Sequence, residues 1–232
     1  MKALFVNGSP RKNWNTHKML ESAMEGARRA GAETDLAHLY DAAFKGCVSC
    51  FACKVKNSRT NGLCAFRDPL TPTLEKARGA DVIIVGSPVY LGCPTASTRA
   101  FLERLMFPLL IYGIEERRVL KKTVPSAMIY TMNCSEELAE QFHYPTLLGA
   151  NADALRLTFG YSETTSAVVI RRAIASPSRS RSSVKDTRAA SVWASSSRTS
   201  IVSASASLGG MTVNPLREDK ESPRSSEPRR GR

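Results

Sequence analysis

Residues 81–92, DVIIVGSPVYLG, contain the clearest strand signal of the sequence. Four branched apolar residues, 82–85, follow one another without interruption and end at a Gly-Ser-Pro turn. An uninterrupted apolar run of this length is typical of a parallel strand that is buried on both faces. We therefore predict a buried strand over 81–87, followed by a loop over 88–94.

Similar strand signals alternate with helical spacing on both sides of this segment. The other predicted strands are 2–7, 33–40, 124–131 and 154–159, and the predicted helices are 16–30, 71–78, 95–110 and one that starts at Ser135. We expect Asn15 or Thr16 to cap the first helix and Gly31 to end it. The alternation indicates βαβ units, a parallel sheet and the α/β class.

The loop from Gly8 to Thr16 joins the first strand to the first helix and could bind a phosphate. The N-terminus of a helix leaves backbone N–H groups unpaired and carries a partial positive charge. Ser9, Asn15 and Thr16 add short polar groups, and Arg11 adds a charged one. The loop is neither a Walker loop nor a G-x-G-x-x-G motif. An ordinary βα turn with a good N-cap is the alternative interpretation.

A second candidate loop, 86–92, follows the third predicted strand. Ligands of open α/β sheets bind beyond the carboxyl ends of the strands, at the point where the strand order reverses. In the strand order 2-1-3-4-5 the loops after strands 1 and 3 meet there. Tyr90 could pack against a planar ring, while the backbone of Pro88, Val89 and Gly92 meets the polar edge of that ring. A surface turn with a half-buried tyrosine is the alternative.

Four cysteines lie in the loop between residues 44 and 68. Cys47, Cys50 and Cys53 form a C-x2-C-x2-C pattern, and Cys64 follows ten residues later. Four thiolates suit a [4Fe–4S] cluster or a structural zinc ion. The spacing favours iron–sulfur, because zinc sites more often use separated pairs of cysteines. Buried or redox-inert cysteines remain the alternative.

Taken together, these motifs resemble the NADPH-dependent FMN reductase family and, within it, the iron–sulfur flavoproteins. The resemblance rests on G-S-P-R-x-x-x-N-T at 8–16, the cysteine loop at 47–64 and G-S-P-V-Y at 86–90, and it extends from residue 2 to about residue 161. It implies a flavodoxin-like α/β fold, with a doubly wound parallel five-stranded sheet in the order 2-1-3-4-5. It also implies a homo-oligomer.

The resemblance assigns roles to particular residues. It implies that the FMN phosphate is held by Ser9, Arg11, Asn15 and Thr16. It implies that Pro88, Val89 and Tyr90 border the isoalloxazine ring. Cys47, Cys50, Cys53 and Cys64 match the family's cluster ligands in order. No side chain is assigned as a catalytic acid or base, because the flavin supplies the chemistry.

Composition and the N-terminal sequence indicate the cellular compartment of the protein. The 232 residues contain 42% hydrophobic residues, and no run of about 18 apolar residues suggests a membrane span. Residues 1–12 do not resemble a signal peptide. We therefore expect the reducing cytoplasm, where six cysteines indicate metal or redox chemistry rather than disulfides.

The composition changes after residue 161. The segment 162–232 contains 18 serines and 11 arginines and lacks sustained apolar periodicity, so we expect a disordered tail after a 1–161 flavin-binding domain. A reading-frame error in a GC-rich gene would produce the same shift, which we state as a hypothesis. The net charge is +12, but few aromatic residues accompany the basic ones of the tail, so a nucleic-acid partner is not expected.

The sequence thus predicts an FMN-dependent NAD(P)H oxidoreductase. Electrons would pass from a reduced nicotinamide nucleotide to FMN and onward to a small-molecule or protein acceptor. The alternative is a flavin or cluster electron carrier, or a redox sensor, without turnover of its own. Nucleic-acid binding through the basic tail is a third and weaker hypothesis.

Overall fold

The computed structural model describes residues 1–55, 60, 62–110, 120, 122–160, 168–172 and 201–203. The elements are β1 (Lys2–Asn7), α1 (Asn15–Arg29), β2 (Glu33–His38), α2 (Thr71–Gly79), β3 (Val82–Tyr90), β4 (Cys93–Pro94), α3 (Ala96–Met106), β5 (Ser126–Met132), α4 (Glu136–Gln141), α5 (Tyr144–Phe159), β6 (Val168–Arg172) and β7 (Ile201–Ser203). Short 3-10 turns occupy Leu39–Asp41, Ala52–Lys54 and Phe107–Leu109.

One sheet organises these elements. Its order is β2-β1-β3-β5-β6-β7, and every pair along this path is parallel. The first five strands of this path confirm the predicted order 2-1-3-4-5, and β7 extends the edge. The two-residue β4 pairs antiparallel with β3. Because the order reverses between β1 and β3, the loops that follow these two strands lie side by side.

Helices cover both faces of the sheet, which makes the fold doubly wound. On one face α1 packs Leu20 and Met24 against Phe5 and Ile84. On the other face α2, α3 and α5 bury apolar side chains against β1, β3 and β5. The consecutive strand residues Ile83 and Ile84 point to opposite faces, so β3 is buried on both sides as predicted.

The prediction of a strand over 154–159 is wrong, because these residues form the last part of α5. The buried residues of this helix include Leu148, Ala152, Leu155 and Phe159, whose spacing of three or four is helical. Leu157, which supplied the apparent alternation, is exposed. The fifth parallel strand is β6 instead.

Two local predictions also need correction. Neither Asn15 nor Thr16 caps α1, because the N-cap residue is Trp14, which provides no side-chain hydrogen bond. Residues 88–94 are not simply a loop. The strand β3 continues to Tyr90, and residues 91 and 92 turn the chain back into β4. The predicted cap Ser135 is confirmed, since its hydroxyl accepts the backbone N–H of Leu138 at 3.3 Å.

The segment 162–232 contributes β6 and β7 to the sheet. Its remaining residues, for which we expected disorder, lie outside the described part of the chain. Among the described residues, no helix is long and apolar enough to span a membrane.

Candidate flavin and cysteine sites

The loops that follow β1 and β3 are joined directly by hydrogen bonds. The backbone N–H of Gly8 donates to the carbonyl oxygen of Gly86 at 2.8 Å. The hydroxyl of Thr95, at the start of α3, donates to the carbonyl oxygen of Gly8 at 2.8 Å, and its backbone N–H donates to Ser87 Oγ at 3.0 Å. The structure therefore brings the two predicted loops together at the point where the strand order reverses.

Gly8 permits this close approach because it has no side chain. A Cβ atom at this position would lie 1.9 Å from Thr98 Oγ1 and 3.1 Å from the carbonyl oxygen of Gly86. No rotation of the loop residue would relieve the second contact, since its partner is backbone. A glycine is thus needed where the loop of residues 8–16 leaves β1. We call this segment the phosphate loop, after its predicted role.

The first turn of the phosphate loop is held by its own polar groups. Ser9 is buried, and its hydroxyl accepts the N–H of Arg11 at 3.1 Å and donates to the carbonyl oxygen of Arg11 at 3.2 Å. The Arg11 guanidinium lies over the ring of Trp14, 4.6 Å from its centroid. Arg11 is exposed, so its remaining N–H donors face solvent at the mouth of the loop.

The N-terminus of α1 follows the loop and has no side-chain cap. The first helical hydrogen bond runs from the N–H of Lys18 to the carbonyl oxygen of Trp14 at 3.0 Å, and the backbone N–H groups of residues 15–17 precede it. Asn15 is half-buried beside these donors. An uncapped helix N-terminus of this kind fits a phosphate.

Thr16 is oriented differently from the other predicted phosphate ligands. Its side chain is buried, and its hydroxyl shares a hydrogen bond with the hydroxyl of Thr131 at 2.7 Å. The Thr16 hydroxyl therefore anchors α1 to β5, and its backbone N–H is the group available to an anion.

The second loop is a tight hairpin that carries Tyr90. Pro88 and Val89 are half-buried, and Tyr90 is exposed by 50% at the end of β3. Leu91 and Gly92 form the turn with φ values of +52° and +76°, the combination of a type I′ hairpin. Gly92 is buried, and a Cβ there would lie 3.4 Å from the Tyr144 ring. The hairpin thus rests on α5 and presents an exposed aromatic ring at the carboxyl end of β3.

Buried polar atoms below the phosphate loop were not predicted from the sequence. Asn7, at the end of β1, is fully buried. Its Oδ1 accepts the N–H of Ser9 at 2.9 Å, whereas its Nδ2 has no partner among the described residues. His38 pairs with Asn7 in the sheet register, and its ring nitrogens also lack hydrogen bonds there. Burial lowers the pKa of His38, against the opposing charge of Asp41.

The four predicted cysteines line one concavity. Cys47, Cys50, Cys53 and Cys64 surround it together with the rings of Phe51, Phe66 and Phe107. All four thiols are free, with Cys47 and Cys50 exposed and Cys53 and Cys64 half-buried. Cys93 and Cys134 are not part of its lining.

The chemistry of the concavity is that of a thiolate site. Within the described residues, no group of three or more His, Cys, Asp or Glu side chains is close enough to hold one metal ion. A [4Fe–4S] cluster takes one thiolate on each of four irons. The four cysteines that line the concavity are the donor set that such a cluster requires.

The loop that carries these cysteines is strained. Ser49 and Phe51, on either side of Cys50, have φ values of +52° and +56°. Non-glycine residues seldom adopt such values, and strain of this kind concentrates at functional sites. Burial raises the pKa of the Cys53 thiol, against the positive charge of the neighbouring Lys54.

Two residues of α3 that the sequence did not indicate attach this loop to the fold. Glu103 Oε2 accepts the backbone N–H of Cys47 at 3.2 Å, and Arg104 Nε donates to Cys64 Sγ at 3.4 Å. The one sequence signal that could have indicated this role is a charged residue, Arg104, beside the apolar residues Phe101, Leu102 and Leu105 of the same helix. It could not identify the partners, which lie 40 and 56 residues away.

Known proteins are similar to this chain in sequence or in fold. Residues 1–147 match the sequence model of the family described as NADPH-dependent FMN reductase. The iron–sulfur flavoprotein of Methanosarcina thermophila is 36% identical over 104 residues, which are 45% of this chain and 52% of that protein. An iron–sulfur flavoprotein of Archaeoglobus fulgidus is 36% identical over 104 residues, 45% of this chain and 48% of that protein. The chain spans about half the length of the curated relatives it matches.

Solved structures agree on the fold. The NAD(P)H:quinone oxidoreductase of Methanothermobacter marburgensis superposes with a TM-score of 0.54 at 16% identity, over 73% of this chain and 86% of that one. An azoreductase of Bacillus anthracis superposes with a TM-score of 0.55 at 15% identity, over 73% and 86%. With the family match spanning well over half of the sequence, the chain belongs to the NADPH-dependent FMN reductase family.

Proposed function

We propose that the protein is an NAD(P)H-dependent FMN oxidoreductase that binds its flavin where the loops after β1 and β3 meet. The observation that carries this proposal is the hydrogen bond between Gly8 and Gly86. It joins the loop that leads to the uncapped N-terminus of α1 to the strand that ends in the Tyr90 hairpin. One loop offers donors for a phosphate, and the other offers an aromatic surface for a ring.

The phosphate end of the site would use backbone and side-chain donors together. The N–H groups at the start of α1, including those of Asn15 and Thr16, would bind phosphate oxygens. Ser9 would shape the turn through its bonds to Arg11, whose exposed guanidinium would add a charged donor. An anion here would also be favoured by the dipole of α1.

The ring end of the site would be formed by the hairpin. Pro88, Val89, Tyr90 and Gly92 would border the isoalloxazine, with Tyr90 supplying ring contact and the hairpin backbone supplying polar contact. FMN held there would supply hydride and electron transfer, and this chain's residues would bind and orient it. The electron acceptor would be a small molecule or a protein.

We further propose that Cys47, Cys50, Cys53 and Cys64 hold a [4Fe–4S] cluster. Their shared concavity and the strained backbone around Cys50 support the proposal. The similar proteins of Methanosarcina and Archaeoglobus are named iron–sulfur flavoproteins. Zinc bound by four cysteines is the alternative, and iron and zinc analysis of the purified protein separates the two.

Turnover with a nicotinamide nucleotide tests the oxidoreductase proposal. FMN-loaded protein is mixed anaerobically with NADH or NADPH and an artificial acceptor, and nucleotide oxidation is followed. Continuous oxidation that requires FMN supports the enzyme. Reduction of the flavin only by a protein or chemical reductant, without nucleotide oxidation, favours the alternative of an electron carrier or redox sensor.

The proposal extends to the cellular compartment, the oligomeric state and the partners of the protein. We place the protein in the reducing cytoplasm as a homo-oligomer, without a membrane or nucleic-acid partner. Nucleic-acid binding that is lost on deletion of residues 204–232 would instead assign a role to the basic end of the chain.

A further inference from the structure

Arg104 is the largest fully buried side chain among the described residues, and it lies beneath the cysteine loop. Its side chain is 0% exposed. Arg104 is not among the residues assigned to the flavin site, and it is one of the buried residues of α3. A buried guanidinium requires several acceptors, because an unpaired charge in the interior is strongly unfavourable.

The acceptors of Arg104 come from both ends of the cysteine loop. On the carboxyl side of the loop, Nη2 donates to the carbonyl oxygen of Phe66 at 2.6 Å, and Nη1 forms a short ion pair with Asp68. On the amino side, Nη1 donates to the carbonyl oxygen of Lys45 at 3.2 Å. One side chain of α3 thus closes the base of the loop that carries all four cysteines.

The remaining donor of Arg104 binds a cysteine sulfur. Nε donates to Cys64 Sγ at 3.4 Å, and the guanidinium carbon lies 5.2 Å from the centroid of the Phe66 ring. The Asp68 carboxylate that fixes the guanidinium also accepts the N–H of Leu70 at 3.0 Å, at the start of α2. The position of the Nε donor is therefore fixed from two helices.

We propose that Arg104 is a positioning residue. It holds the cysteine loop closed and donates a charged hydrogen bond to Cys64, a ligand of the proposed cluster. This hydrogen bond raises the reduction potential of the cluster. The inference rests on the proposed cluster. Hydrogen bonds to ligand sulfurs are among the factors that set such potentials. A cationic donor favours the more negative, reduced state, and a charge-assisted hydrogen bond is stronger than a neutral one.

The test compares Arg104→Lys and Arg104→Met with an exposed control. Arg67→Met removes a neighbouring arginine whose ion pair with Glu75 lies at the surface, so it makes the same change of charge without touching a cysteine. Cluster potentials are measured by anaerobic redox titration followed by electron paramagnetic resonance. We expect the lowest potential for Arg104→Met, an intermediate one for Arg104→Lys, and no shift for Arg67→Met. A fully loaded Arg104→Met cluster with the wild-type potential would overturn the inference.

Two further measurements keep the result interpretable. Because Arg104→Met leaves the Asp68 carboxylate buried without its partner, the double variant Arg104→Met with Asp68→Asn is measured in parallel. Amide hydrogen exchange of residues 44–55 and 62–68 in the full chain reports on loop closure whether or not iron is present. We expect exchange at least about tenfold faster in Arg104→Met, since losing even one of its charged hydrogen bonds accounts for that factor, and unchanged exchange in β1 and β3.

These readouts separate failure of the inference from failure of the proposed function. Wild-type protein without iron refutes the cluster and the effect of Arg104 on it, and leaves loop closure to be judged by exchange. Iron-loaded protein whose cluster potential is insensitive to Arg104 refutes the inference and leaves the cluster standing.

Discussion

The hydroxyls of Thr16 and Thr131 lie 2.7 Å apart, although 115 residues separate them in the chain. Thr16 is in the first turn of α1, and Thr131 is near the end of β5. Both side chains are buried. This hydrogen bond ties the N-terminus of α1, the proposed phosphate site, to the strand beyond β3, and so fixes that helix end relative to the sheet.

Removing both of these hydroxyls should destabilise the protein by less than the sum of the two single removals. Thr16→Val or Thr131→Val leaves a buried hydroxyl without its partner, at a cost of about 1–2 kcal/mol in the free energy of unfolding. The double variant should cost less than the sum of the two. Urea unfolding of all four proteins measures the coupling, and strictly additive effects would show that the hydrogen bond contributes nothing.

Gly8→Ala should destabilise the fold and weaken FMN binding together. Its Cβ would overlap Thr98 Oγ1 and crowd the Gly86 carbonyl, so we expect a loss of about 1–3 kcal/mol. The matched control is Gly26→Ala in α1, where a Cβ meets nothing within 4 Å. That change should stabilise the protein by up to about 1 kcal/mol, because alanine favours a helix. Equal effects of the two substitutions on unfolding and FMN titration would contradict this explanation.

Leu91→Gly should stabilise the hairpin. Leu91 is fully exposed and adopts a φ of +52°, so glycine would lose no packing and would relieve about 1 kcal/mol of backbone strain. Gly92→Ala should have the opposite effect, since φ there is +76° and Tyr144 is close. Thermal unfolding of both variants checks the prediction. A lower melting temperature for Leu91→Gly would contradict the prediction, because it would show that the exposed Leu91 side chain stabilises the protein.

Acid should destabilise the protein through His38. Burial lowers the pKa of this residue in the folded state below the ordinary value of 6.5. As the pH falls below about 6.5, the unfolded chain therefore binds a proton that the folded chain does not, and the free energy of unfolding decreases. The neighbouring charges are Asp41, Lys12 and His17.

Urea unfolding between pH 8 and pH 5 measures this dependence. His38→Gln should flatten the decrease, because it removes the group whose pKa burial lowers. A decrease in His38→Gln as steep as in the wild type would assign the effect to another group.

The regular part of the fold could be predicted because its signals are local. The apolar run of β3 and the helical stripe of α1 each appear within a short window of sequence, and both elements form as predicted. The strand predicted over 154–159 failed for the same reason. Six residues can alternate by chance, and the buried face of α5 becomes visible only when Leu148 and Ala152 are included.

The sites were predictable in part. The cysteines and the two loops appear in the sequence as short motifs. In the structure the four cysteines line one concavity, and a hydrogen bond joins the two loops. The supporting contacts depend on distant partners. Neither the hydrogen bond between Thr16 and Thr131 nor that between Arg104 and Cys64 has a local signature, because tertiary packing alone creates them.

An anaerobic visible absorption spectrum of the purified protein, with FMN and iron quantified in the same sample, tests the central claim most directly. The account predicts one FMN per chain, bound reversibly and lost in Gly8→Ala, together with four iron atoms that disappear when Cys50 is replaced by serine. A folded protein that remains colourless and does not take up added FMN would contradict it.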